Sequence, residues 1–222
     1  MPQFSEQPGL VQFLEAREIE VVFDVGANEG FFGLFLRQEG YRGRIVSFEP
    51  IRDTFRVLAA RAEEDGNWEA YQVGLGEAPG SAVINVAESS VFSSLLAHRS
   101  AALSFDARAA PARTEEITID TLDRYASGYS DRKCFLKIDT QGYERQVLLG
   151  AQATLPTLFG AQMELPIIHL YSGVWGLYEG LAFMAEQGFV VAQIHPVNHH
   201  HLDPVSWVEA DCVFRRADPR ID

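Results

Sequence analysis

Asp24, Gly26, Asn28 and Glu49 are the residues whose types and spacing first suggest chemistry. The run Val21-Val22-Phe23-Asp24-Val25-Gly26-Ala27-Asn28-Glu29-Gly30 reads as a buried strand, a tight turn and the start of a helix. Gly26 and Gly30 lack a Cβ, so backbone can approach a ligand closely there. In open α/β sheets the crevice at the carboxyl end of such a strand is where ligands sit. Two ligand classes use it, dinucleotides such as NAD and the methyl donor S-adenosylmethionine.

The residues distinguish the two. A dinucleotide turn needs glycines in G-x-G-x-x-G order, so that backbone can seat a pyrophosphate. Counted from Gly26, the required positions hold Asn28 and Phe31. An Asp ahead of the turn is also awkward for a pyrophosphate but suits a cationic amine. S-adenosylmethionine carries an ammonium and a sulfonium, and Asp24 is expected to face that cationic end directly or through water. The helix N-terminus at Glu29 to Phe32 would meet the carboxylate. Glu49 ends the second strand, where a carboxylate can accept from both ribose hydroxyls. Such charge-assisted bonds contribute about 1.5–3 kcal/mol, or roughly 10- to 150-fold in affinity. Acids occupy this position in NAD sites too, so Glu49 discriminates only together with the failed glycine pattern.

The elements that must position these residues alternate. Strands are predicted over Glu20 to Val25, Arg44 to Phe48 and Trp68 to Val73, with helices over Phe31 to Gln38 and Asp53 to Glu64. Short links between them indicate a doubly wound parallel sheet, and the apolar, β-branched strands fit a sheet covered on both faces. Residues 1–19 form a lead-in with a short helix from Leu10 to Arg17, and a single domain spans 20–216. Ser81 to Ala87 and Ile117 to Ile119 are strand-like. Between them, 88–116 has no firm period and is a candidate lid or acceptor loop. The alternation resumes with strand Cys134 to Asp139, helix Tyr143 to Leu149 and strand Gln162 to Leu165. Helix Tyr178 to Gln187 and strands Phe189 to Ile194 and Asp211 to Arg215 complete the pattern.

At 222 residues the chain is long enough for one substantial core. Its net charge of −13 opposes binding to nucleic acid and to anionic membranes. Cys134 and Cys212 lie in apolar runs and read as buried thiols, which suits a reducing cytoplasm. The N-terminus lacks a basic segment followed by an apolar stretch, so a cytoplasmic location is expected.

Four segments then resemble a known family. Phe23 to Gly30, Ser47-Phe48-Glu49-Pro50, Thr121-Leu122-Asp123 and Leu136-Lys137-Ile138-Asp139-Thr140-Gln141-Gly142-Tyr143-Glu144 are similar in order and spacing to the FkbM-type methyltransferases. The likeness extends from about residue 20 to 216, with the Lys137 to Glu144 segment its most specific part. It implies a class I methyltransferase fold, a Rossmann-like sheet of about seven strands with helices on both faces, using S-adenosylmethionine. It further implies O-methylation of a hydroxyl on a small natural product or sugar-containing acceptor. Carried onto this chain, the cofactor surface comprises Asp24, Gly26, Ala27, Asn28, Gly30, Glu49, Pro50, Val73, Gly74, Asp139 and Gln141, with Val73 and Gly74 at the adenine.

Asp139 is expected beside the path of the methyl group, and Asp139 or His169 as the base that takes the hydroxyl proton; Glu164 and His98 are further candidates. Glu144 reads equally as a helix N-terminal charge. Asp139, Glu164 and His169 together would form a hard-cation site in a rival reading, although no metal is expected. Asn198-His199-His200-His201 has the composition of a metal tract but reads more simply as a polar loop. The alternatives to methyl transfer are a nicotinamide oxidoreductase and a non-catalytic S-adenosylmethionine-binding module.

Overall fold

The computed structural model describes residues 9–97, 99–200 and 202–221. The first eight residues of the lead-in, His98 and His201 lie outside the described residues. Helix α1 (Leu10–Ala16) precedes strand β1 (Val21–Val25), followed by α2 (Phe31–Gln38), β2 (Arg44–Phe48), α3 (Arg52–Asp65) and β3 (Trp68–Tyr71). Next come β4 (Gly74–Leu75), β5 (Gly80–Ala87), α4 (Ser100–Phe105), β6 (Pro111–Asp120), α5 (Leu122–Ala126) and β7 (Cys134–Ile138). The chain closes with α6 (Glu144–Leu149), β8 (Gly160–Pro166), α7 (Leu177–Glu186), β9 (Phe189–His200) and β10 (Asp203–Arg216).

Seven strands form one sheet in the order β3-β2-β1-β7-β8-β10-β9. Pairing is parallel from β3 to β8, and β10 is antiparallel to both of its neighbours. Period-2 alternation along β1 sends Val21, Phe23 and Val25 to one face and Val22 with Asp24 to the other. On the Val22 face lie Leu10 and Leu14 of α1, Phe32 and Leu36 of α2, and Leu58 of α3. On the Phe23 face lie Leu122 of α5, Val147 and Leu148 of α6, and Met184 of α7. Each fully buried Phe or Leu here contributes about 1.5–3 kcal/mol. Helix α3 shows why: Thr54, Leu58 and Ala62 recur every fourth residue on its buried stripe, and Gly66 ends it in the left-handed conformation.

A second sheet, β4-β6-β5, covers the carboxyl end of the first. Its buried Ile84, Val86, Ile117 and Ile119 pack against Ile51 at the start of α3. Three sequence expectations change in this part of the fold. The third strand ends at Tyr71 rather than Val73, because the chain crosses there into the small sheet. Residues 111–116, which end the 88–116 segment, belong to β6, paired with β5 from Gly80 to Ala87. The stretch from Asn198 to His200 is not a loop: it ends β9, paired with β10, and the His199 ring meets the Pro204 carbonyl at 2.9 Å. Cys134 and Cys212 are buried and unpaired. Among the described residues, no helix is long and apolar enough to cross a membrane.

Candidate active site

One cavity of about 280 Å³ opens where β1, β2, β7 and β8 end. Its first compartment is an apolar slot lined by Pro50, Ile51, Val73, Gly74, Leu75, Ile84, Leu95 and Ile117, with Glu49 at its edge. The small sheet supplies half of these walls. Glu49 is buried, and its Oε1 is filled by the Ile51 amide at 2.8 Å and the Thr54 hydroxyl at 3.1 Å. Oε2 accepts only from the Asn28 amide, at 2.9 Å, which leaves that oxygen one further acceptor position. Burial, only partly offset by these donors, pushes the Glu49 carboxyl up to about 7. Glu49 thus holds the glycine turn together as well as facing the slot. A diol would find one acceptor position open, on Oε2, where the sequence led to the expectation of bonds from both ribose hydroxyls.

The turn itself is built by close chain approach. Gly26 has φ 74°, and a Cβ there would lie 1.8 Å from the Asp139 carbonyl oxygen. Gly30 has φ 85° and would meet Leu58 and Trp68 instead. Gly30 therefore does not line the cavity, a correction to its expected ligand contact; it lets α2 sit on the Trp68 indole. Asn28, also left-handed at φ 49°, lines the cavity, and its side chain bonds the Ser90 hydroxyl at 3.1 Å. Ala27 lines the same wall.

Asp24 requires a second correction. It is fully buried and does not border the cavity that it was expected to face. Its carboxylate pairs with the Lys137 ammonium at 3.1 Å and accepts from the Ser47 hydroxyl at 3.1 Å; Ser47 in turn accepts from the Trp68 indole at 2.9 Å. The parallel register explains this line, since Ser47, Asp24 and Lys137 are direct partners across three strands. Lys137 does reach the cavity. It also donates to the Gly26 carbonyl at 3.3 Å, stands 3.7 Å from Asp139 and lies 5.4 Å from the Phe32 ring centre. Burial alone would discharge this amine, but the carboxylates of Asp24 and Asp139 outweigh burial and raise its pKa.

The second compartment is polar and is lined by Asp139, Gln141, Gln162, Glu164, His195, Asn198, Glu209 and Asp211. Gln141, left-handed at φ 54°, donates to Asp139 at 2.8 Å and to Glu164 at 3.0 Å, and accepts from the Tyr171 hydroxyl at 2.7 Å. Glu144 lies outside the cavity and clamps the loop: one oxygen accepts from the Thr140 amide and hydroxyl and the Gly142 amide, at 3.0–3.1 Å.

His169 is the third correction. It lies three residues past the end of β8, beside Gly176 at the start of α7, and does not line the cavity. Among the described residues no group of three His, Cys, Asp or Glu is arranged to hold a metal ion, so Asp139, Glu164 and His169 form no such cluster. The imidazole that does reach the cavity is His195, opposite Asp211 on the β9–β10 pair, with its pKa lowered by burial. Sequence reasoning missed it because the strand was ended at Ile194, ahead of Pro196. Lys137 was missed as well, although the Lys-Ile-Asp run was singled out.

A sheet of this order, with a glycine turn and an acidic second strand end around one cavity, defines a class I, Rossmann-like methyltransferase fold. The family model described as the methyltransferase FkbM domain matches residues 24–191, and the chain belongs to that family. The fold is similar to that of magnesium protoporphyrin IX methyltransferase (ChlM) from Synechocystis PCC 6803, solved with bound SAM. That match has 10% identity and a TM-score of 0.51, over 94% of this chain and 77% of that one. TehB from Haemophilus influenzae is similar at 9% identity and a TM-score of 0.51, over 93% of this chain and 61% of that one. Comparison with curated proteins gives no match. The family and the fold are those of S-adenosylmethionine-dependent methyltransferases.

Proposed function

We propose that this protein methylates a hydroxyl oxygen on a small natural product or sugar-containing acceptor, with S-adenosylmethionine as donor. The observation that carries the reading is the continuity of the cavity, from the apolar slot at Glu49 to the polar compartment at His195. The slot fits the cofactor: flat apolar walls for an adenine, and the open position on Glu49 Oε2 for a ribose hydroxyl. Val73 and Gly74 would border the adenine, Pro50 the ribose, and Gly26, Ala27, Asn28 and Gln141 the amino-acid end. Bound there, the cofactor supplies an electrophilic methyl group on sulfur.

Alignment of the two reactants in such a cavity can supply about 7–11 kcal/mol. Asp139, fixed by Gln141 and Lys137, borders the passage between the compartments. Burial lowers the His195 pKa and favours its neutral form. That form would accept the hydroxyl proton as oxygen bonds the methyl carbon and that carbon's bond to sulfur breaks, leaving S-adenosylhomocysteine. Ser90 to Ser93 and Leu95 line the cavity, and Ser90 bonds Asn28 of the turn, so this part of the 88–116 segment would border a bound ligand. Small acceptors rather than nucleic acid suit the charge of −13, and two unpaired buried thiols suit the cytoplasm.

The test is transfer of labelled methyl from S-adenosylmethionine to a panel of hydroxylated small molecules and glycosides. Label recovered as methyl ether is the expected outcome, with turnover about 10²- to 10⁴-fold lower in His195→Ala and cofactor affinity retained. Label recovered only on nitrogen would contradict O-methylation.

A further inference from the structure

Among the described residues, no Lys or Arg forms an ion pair with Glu164 or Glu209, the carboxylates at the end of the polar compartment. Across β8 and β10, Glu164 stands opposite Asp211 and Pro166 opposite Glu209; across β10 and β9, Glu209 stands opposite Asn198. This register brings acids from two strands to one end of the cavity. Among the described lining residues Lys137 is the single Lys or Arg, and Asp24 already holds it. The donors to Glu164 and Glu209 are neutral amides, Gln141 at 3.0 Å and Asn198 at 3.0 Å.

Gln162 gives an independent indication. It lies two residues before Glu164 on the same face of β8, lines the cavity, and is 1% exposed. Its Oε1 accepts no hydrogen bond. A buried amide oxygen left without a donor is costly, so its side chain is set for a donor that no described residue supplies. Gln162, Glu164 and Glu209 together offer three acceptors, and an ammonium carries three donors.

We propose that this end of the cavity binds a cationic nitrogen on the methyl acceptor, so that the substrate is an amino alcohol such as an aminosugar rather than a neutral polyol. The inference rests on the methyl-transfer reading above. Closely set carboxylates such as half-buried Glu164 and buried Glu209 are stable only when protonated or matched by a cation. Burial first, then repulsion from Glu209, pushes the Glu164 carboxyl well up, and burial lifts Glu209 to about 7. Charge-assisted bonds to an incoming ammonium would restore both to carboxylates.

Glucosamine and glucose, which differ at one substituent, are the probes, titrated calorimetrically into protein saturated with S-adenosylhomocysteine. Glucosamine is expected to bind at least about tenfold more tightly, roughly one charge-assisted bond. Glu209→Gln and Gln162→Leu should each bring it towards the glucose affinity, while affinity for S-adenosylhomocysteine stays at the wild-type value and shows that the variants are folded. Equal binding of the two sugars, or no glucosamine binding, overturns the proposal. Lost S-adenosylhomocysteine affinity in Glu209→Gln also overturns it, since the carboxylate would then serve the cofactor's own ammonium. Should wild type bind no S-adenosylhomocysteine, the methyl-transfer reading fails, and the same sugar pair titrated without cofactor still decides the cation site.

Discussion

Removing the Lys137 amine would leave the Asp24 carboxylate sealed between two parallel strands with only the Ser47 hydroxyl for company. Breaking a buried ion pair from one side costs about 3–5 kcal/mol, because the remaining charge has neither water nor partner. Lys137→Met should therefore lower the urea midpoint by that equivalent, and adding Asp24→Asn should recover part of it. Glu49 gives a prediction in pH. Its carboxyl is held at about 7 in the fold, against an ordinary value of 4.5. Between these values the folded chain keeps a proton that the unfolded chain releases. This group's contribution to stability is thus full below about 4.5, falls as pH rises towards 7 and is flat above. Cofactor binding runs the other way: a ribose hydroxyl donates best to the carboxylate, so affinity should rise with pH through about 7 and then level. Glu49→Gln should cost about tenfold, one charge-assisted bond, and remove that pH dependence. Glu49 was legible in the sequence because an acid after an apolar run is conspicuous. The partner of Asp24 was not, because strand register, which places Lys137 beside it, is a property of pairing and not of spacing.

At the scale of elements, the glycine turn and the β9–β10 hairpin behave differently. Gly26 stands where a Cβ would collide with the backbone of the loop after β7. Gly26→Ala should destabilise the fold by about 3 kcal/mol, the upper end of the range for overpacking, read from thermal or urea unfolding. Gly40, also at positive φ but with nothing within 4 Å, should cost only the backbone strain of about 1–2 kcal/mol when changed to Ala. The hairpin delivers His195 and Glu209 to the cavity. His169→Ala should accordingly leave turnover near wild type in the assay that shows His195→Ala to be impaired, and equal losses in both would contradict the placement. The parallel strands and the helices between them were readable because apolar runs and 3.6-residue stripes encode them directly. The outer halves of β9 and β10 were not. His195, Pro196, His199 and His200 carry no apolar alternation, and their pairing comes from the neighbouring strand.

Across the whole molecule, two sheets divide the work. The seven-stranded sheet fixes the turn, Glu49 and Asp139 at its carboxyl edge, while the small sheet closes the apolar slot over them with Ile84 and Ile117. The second sheet was recognised from sequence only as isolated strand-like pieces, because β5 and β6 are separated by residues 88–110, which carry helix α4 and no strand of the sheet. A chain of net charge −13 that lines its cavity with five acids and one lysine among the described residues suits a cationic ligand better than an anionic one. S-adenosylmethionine carries that charge, and a dinucleotide carries the opposite one. The most direct measurement is calorimetric titration of wild type and Glu49→Gln with S-adenosylhomocysteine and with NADH. Saturable binding of S-adenosylhomocysteine, about tenfold weaker in the variant and absent for NADH, is the predicted result. Binding of NADH without binding of S-adenosylhomocysteine would contradict the account.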